Sequence, residues 1–266
     1  MKRSSINLFV VFLCIALIQC ACGLSLGGGT GGGSGTTQPV ATLKSAEVLQ
    51  PTPTISAVKD KYFQEDFNGD LSSWSQFLVN GTKTAKNGNP ELADAPFGKM
   101  SIVVTGGYLI FDLESAGQWA YTVYDPQTYD DVRVEASAEN RGSNDNNISL
   151  ICRYDPVEGW YEFNVANNGL YNILYAKVKS DKTVVYSRLA NGGYTKIKSG
   201  KEINQYGITC QKKTLTLTIN GYDVKTYDDN QYALKEGKIG LSVSSSLSAA
   251  SLPAKVNFDW VKVSQP

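Results

Sequence analysis

The chain contains no histidine among its 266 residues, so any chemistry falls to carboxylates, phenols, lysines, arginines or oxygen-ligated cations. Ser-His-Asp and Cys-His sites, imidazole general bases and His-ligated zinc are all excluded. Hydrolysis of a glycosidic bond by carboxylates needs two acids about 5–10 Å apart, one with a raised pKa. Asp131 and Glu135 are a pair that one strand would carry on one face. At the rise of an extended chain they lie about 13 Å apart, too far for either mechanism. The run 140–147 (NRGSNDNN) concentrates side-chain oxygens, as a calcium-binding or sugar-contacting loop would. It lacks EF-hand spacing, and Asx turns account for the same composition.

The elements that must position such residues begin after an address and a tether. Met1-Lys2-Arg3 precedes an apolar run at 6–18 (INLFVVFLCIALI) that is too short to span a bilayer, the pattern of a signal peptide. Its end, Leu17-Ile18-Gln19-Cys20-Ala21-Cys22, resembles a bacterial lipobox. Lipidation falls on Cys22, which has a small residue before it, or on Cys20. Either would make this an exported lipoprotein at the cell surface or in the periplasm, anchored to membrane by its N-terminus. Cleavage without lipidation would make it secreted. Residues 23–59, rich in Gly, Ser, Thr and Pro, cannot bury a core and read as a linker with a span of about 35 Å. Lys+Arg and Asp+Glu both number 25, which removes the basic footprint of a nucleic-acid binder.

From residue 60 onward, short alternating runs replace the linker. Strands are predicted at 101–104, 108–113, 119–124, 132–138, 148–154, 160–166, 171–178, 183–188, 206–210, 214–219, 223–227, 238–243 and 255–263. Val132, Val134, Ala136 and Ala138 alternate with Arg133, Glu135, Ser137 and Glu139, the mark of a strand with one buried face. Asn220-Gly221 between two such runs specifies a type I′ hairpin. No window suits a helix of ten residues, so 60–266 reads as one all-β sandwich or barrel. Cys152 and Cys210 sit in apolar strands, and an even pair in an exported chain favours a disulfide. Two buried thiols are the alternative.

Several motifs carry a resemblance: Glu65-Asp66-Phe67 with Trp74, the pair Ile151-Cys152-Arg153-Tyr154 and Tyr161-Glu162-Phe163-Asn164-Val165, and the Asn-Gly hairpin. Gly237-Lys238-Ile239-Gly240-Leu241 and Phe258-Asp259-Trp260-Val261 complete it. Together they resemble the concanavalin A-like jelly roll of laminin-G-like domains, in particular the bacterial 3-keto-disaccharide hydrolase type. The resemblance implies a two-sheet antiparallel sandwich that takes a glycan or other small ligand on its concave face. It implies Trp119, Tyr121 and Trp160 as sugar-stacking aromatics, with Glu135, Arg153 and Asn164 as polar partners. Glu135 and Arg153 are the nearest matches to that group's site pair and the candidates for catalysis. The asparagine-serine-glycine run that usually precedes the arginine strand is replaced here by Asn147-Ile148-Ser149-Leu150, and the family-16 glucanase motif E-x-D-x-x-E is absent. The leading expectation is therefore a non-catalytic glycan-binding module. A carboxylate-dependent hydrolase and a protein-interaction domain are the alternatives. Where the termini of a jelly roll lie side by side, Asp66 and Asp259 could hold a structural calcium; no other cofactor is implied. Nothing in the sequence fixes an oligomeric state.

Overall fold

The computed structural model describes residues 60–80, 83–84, 90–91, 98–179 and 184–266. The signal peptide, the lipidated cysteine (Cys22 or Cys20) and the linker lie outside the described residues. In chain order the strands open with β1 (Phe63–Glu65), β2 (Trp74–Asn80), β3 (Lys83–Thr84), β4 (Pro90–Glu91), β5 (Met100–Thr105) and β6 (Tyr108–Leu113). Next come β7 (Gln118–Tyr124), β8 (Val132–Asn140), β9 (Asn147–Asp155), β10 (Gly159–Ala166), β11 (Leu170–Val178) and β12 (Val184–Gly193). The chain closes with β13 (Ile203–Gln211), β14 (Thr214–Ile219), β15 (Tyr222–Asp228), β16 (Lys238–Ser244) and β17 (Ala254–Ser264). Every strand predicted from alternation is present, β1 and β2 are added around the Glu65–Trp74 motif, and the short β3 and β4 are added after them.

The strands form two antiparallel sheets. One runs β15-β14-β13-β8-β17-β6-β5, with β1 extending the edge of β17 beyond β6. The other runs β2-β7-β16-β9-β10-β11-β12-β4-β3. Consecutive hairpins alternate with neighbours from distant parts of the chain, such as β8 beside β17 and β7 beside β16, and these crossing connections make this a jelly-roll sandwich. Alternation decides which side chains enter the shared core. On β8, Val132, Val134, Ala136 and Ala138 are buried in it, facing Leu150, Phe163 and Ile173 of the second sheet. Asn220 and Gly221 have φ of 51° and 82°, as a type I′ turn between β14 and β15 requires. Cys152 on β9 and Cys210 on β13 are joined by a disulfide, which staples one sheet to the other through the core.

Candidate functional site

Sheet parity creates a second apolar layer. On β10, Tyr161, Phe163 and Val165 enter the shared core, so Trp160, Glu162 and Asn164 point to the opposite, outer face. Cross-strand register carries that face over the sheet. Asn164 lies opposite Ser149, Ser149 opposite Ser242, Ser242 opposite Tyr121, and Tyr121 opposite Phe77. Small side chains on β16 and β9 leave room above the middle of the sheet. There Tyr121 lies across them with its ring parallel to Phe77, 4.4 Å between centroids. Trp160 meets both rings edge-on. Tyr154 stacks on the far side of Phe77, and Trp119 stacks on Tyr186 from β12. Phe77 and Tyr154 are only partly buried and form the rim of this layer.

At the centre of the aromatic layer is a carboxylate with no ion-pair partner among the described residues. Glu162 is 0% exposed. Its Oε2 accepts from the Tyr121 hydroxyl at 2.8 Å and from the Trp160 indole at 3.0 Å, and its Oε1 accepts from the Asn164 amide at 2.7 Å. The other Asn164 N–H reaches Ser149 Oγ at 2.6 Å. Tyr121 has one proton and gives it to Glu162, so in its 2.6 Å bond with Tyr186 the donor must be Tyr186. Burial pushes the Glu162 carboxyl above its ordinary range, and hydrogen bonds from Trp160, Tyr121, Asn164 and Ser149 pull it only part of the way back. Burial and the neighbouring carboxylate raise both phenols well above their ordinary value. The result is a proton-holding chain, Tyr186 to Tyr121 to Glu162, locked among rings whose orientations it fixes.

A family model described as a 3-keto-alpha-glucoside-1,2-lyase-like domain matches residues 62–264. The chain belongs to that family. No curated protein sequence matches it. Among solved structures, a family-16 glycoside hydrolase of a Bacteroides ovatus mixed-linkage glucan locus is similar at 14% identity and TM-score 0.51. That match covers 76% of this chain and 99% of the other. A Bacillus licheniformis beta-glucanase is similar at 14% identity and TM-score 0.53, over 78% of this chain and 100% of the other. A second B. ovatus family-16 endo-glucanase gives 15% and 0.52, over 76% and 99%. At these identities the likeness is one of fold.

Within this lyase-like domain, four of the six residues expected to line a ligand face lie together: Trp119, Tyr121, Trp160 and Asn164. The other two do not join them. Glu135 is on β8 of the other sheet, on the side away from the core, paired with Arg133 at 2.8 Å. The whole sandwich separates it from Trp160. Arg153 would share the outer face with Glu162 if β9 were regular. Instead β9 is bulged there, with register shifts against both neighbours and φ of 53° at Arg153, and a bulge re-aims a side chain. Cys152 and Arg153 therefore both point inward, and Tyr154 points out. The guanidinium donates to the carbonyls of Asp130, Lys212 and Leu234 at 2.6–3.1 Å. Gly237 makes the bulge possible, since a Cβ there would sit 2.3 Å from the Arg153 carbonyl carbon. Asp131 ends just before β8 and bonds Lys212 and Arg153 rather than facing Glu135.

Asp66 follows β1 and Asp259 lies on β17, so the termini do run side by side, and both residues are exposed. No group of three or more metal-ligating side chains occurs among the described residues. In 140–147, Asn140, Ser143, Asn144 and Asp145 bond neighbouring loop atoms. Sequence reasoning passed over Glu162, Ser149, Tyr186 and Phe77. The alternation Trp160-x-Glu162-x-Asn164 could have revealed the first, because it puts an acid between an indole and an amide on one face. The other three are brought in by register alone.

Proposed function

We propose that this is a carbohydrate-binding domain that takes a glycan on the outer face of the nine-stranded sheet, held at the cell surface by the N-terminal lipid. The observation that carries the reading is Glu162, a buried acceptor that fixes Trp160 and Tyr121 and, through Tyr121, Tyr186. Those three rings are themselves buried, and Tyr121 and Trp160 hold Phe77 and Tyr154 from behind; a pre-set platform costs a ligand little ordering entropy, and sugars stack on such flat faces. The half-buried rings of Phe77 and Tyr154 offer the platform. Exposed Arg188 stands in the same cross-strand row as Glu162, beyond Leu174, as a hydroxyl-binding side chain at the edge. The family and the glucanase-like fold support a sugar ligand, and the lipobox-like segment supports the anchor.

A second reading is favoured by the family, named for a 1,2-lyase of 3-keto-glucosides; it makes Glu162 the acid–base group and requires the rings that bury it to part and admit substrate. A ketone at C3 of a glucoside acidifies the C2–H bond. A carboxylate can take that proton while the C2–H electrons form a C1=C2 bond and expel the O1 leaving group, which recovers the proton. This elimination needs one acid–base group where hydrolysis by carboxylates needs two.

One titration and one turnover assay separate these readings. Calorimetry with gluco-oligosaccharides should show binding that Phe77→Ala weakens at least ten-fold, with no product from a 3-keto-disaccharide. Turnover abolished by Glu162→Gln would establish the lyase instead. Neither binding nor turnover in the parent protein would sink both.

A further inference from the structure

On the inward side of the β9 bulge, across the sheet from the aromatic layer, a cavity of about 260 Å³ is lined by Asp131, Arg153, Tyr161, Lys212, Lys213 and Lys235, with Ala233 and Leu234. Four cations against one carboxylate line it, a local charge of +3 that the nearby carboxylates of Asp130 and Asp229, both acting on Arg153, partly offset. The lining carboxylate is already engaged: Asp131 Oδ1 accepts from the Lys212 N–H at 2.6 Å and from Arg153 Nη2 at 3.5 Å.

The floor is Arg153, whose side chain is 2% exposed. Backbone carbonyls use its Nε–H and both Nη1–H bonds. A guanidinium has five N–H groups, so one Nη2–H has no hydrogen-bond partner among the described residues. The Lys212 and Lys235 ammonium groups likewise have no ion-pair or hydrogen-bond partner among the described residues. Lys213 is held by Asn230 at 3.0 Å. A buried guanidinium is rigid and weakly hydrated, and it presents a planar fork suited to oxyanions. The adjoining cavity, about 510 Å³, shares Ala233, Leu234 and Lys235 and adds the carboxylates of Asp155, Glu158 and Glu236. Those are acceptors for hydroxyl groups.

We propose that this cavity is an oxyanion site, where Arg153, Lys212 and Lys235 hold a carboxylate or sulfate group and the adjoining cavity receives the sugar that carries it. The site is separate from the aromatic face and does not depend on a ligand binding there. The β9 bulge then has a use: it takes Arg153 off the aromatic face and sets it under the lysines.

Calorimetry of the full chain at low salt, with sodium sulfate, sodium glucuronate and glucose as titrants, tests this. Both anions should bind and glucose should not, and 0.5 M NaCl should weaken binding strongly because the lysines are exposed to screening. Lys212→Gln with Lys235→Gln should reduce anion affinity about ten-fold. Phe77→Ala should leave it unchanged, which separates this result from the fate of the aromatic face. Both substituted side chains are exposed, so the fold is retained. Binding of either anion that weakens in the double variant supports the site. Glucuronate tighter than sulfate marks a sugar acid, and equal affinities mark a free anion. Silence from both anions, or affinity that the double variant keeps, overturns the proposal.

Discussion

Replacing Glu162 tests the physical account of the aromatic layer. Glu162→Gln removes the buried charge but can keep every bond. Its carbonyl oxygen can stand at the Oε2 position to accept from Tyr121 and Trp160. Asn164 can turn its amide to present an oxygen to the new NH₂ and to Ser149. Glu162→Leu instead strands the Trp160 N–H, one Asn164 N–H and one phenol proton of the Tyr121–Tyr186 pair. Each stranded buried donor costs about 1–3 kcal/mol, so the leucine variant should lose about 6 kcal/mol. The glutamine variant should be at least as stable as wild type at pH 7. Burial raises the Glu162 pKa above its ordinary 4.5, so the folded protein keeps a proton that the unfolded chain has released. Wild-type stability relative to the glutamine variant is therefore greatest below about pH 4.5 and declines as pH rises to the folded pKa. Each unit between the two pKa values is worth about 1.4 kcal/mol. Urea unfolding monitored by tryptophan fluorescence from pH 4 to 8 reads both effects. A glutamine variant as damaged as the leucine variant, or a wild-type-minus-glutamine difference that does not change with pH, would refute the reasoning.

Three further outcomes rest on the same packing. Cys152→Ala with Cys210→Ala opens a cross-link of sequence separation 58 and should cost about 4 kcal/mol in urea unfolding. Gly237→Ala would force a Cβ to 2.3 Å from Arg153 backbone. It should cost at least about 2 kcal/mol and lower the thermal midpoint by about 6 °C. For Asp229, burial pushes the carboxyl up, but hydrogen bonds from Tyr161 and the N–H groups of Tyr232, Gln231 and Ala233 outweigh it and hold the pKa below 3.8. Its stabilisation is present above that value and lost as pH falls through the folded pKa. The gap between wild type and Asp229→Asn should accordingly narrow as pH falls below 3.8, and a gap that did not change with pH would contradict it.

The sequence by itself determined the all-β class, thirteen of the strands and the Asn220-Gly221 turn, and it favoured the Cys152–Cys210 pair. Each depends on local spacing or on simple pairing. It also placed Trp160 and Asn164 on one face, because an even separation along a strand means the same side. Period-2 alternation states that two residues share a side but not which sheet they belong to, so Glu135 and Trp160 could look like neighbours while a core lay between them. Arg153 shows the other limit. One extra residue in a ladder reverses the facing of every later residue on that strand, and this bulge depends on the close approach of Gly237, 84 positions later. Glu162 became a candidate only when folding delivered Tyr121, Ser149 and Tyr186 from three other strands. A carboxyl is set apart by desolvation and by the donors around it, and tertiary structure alone supplies both.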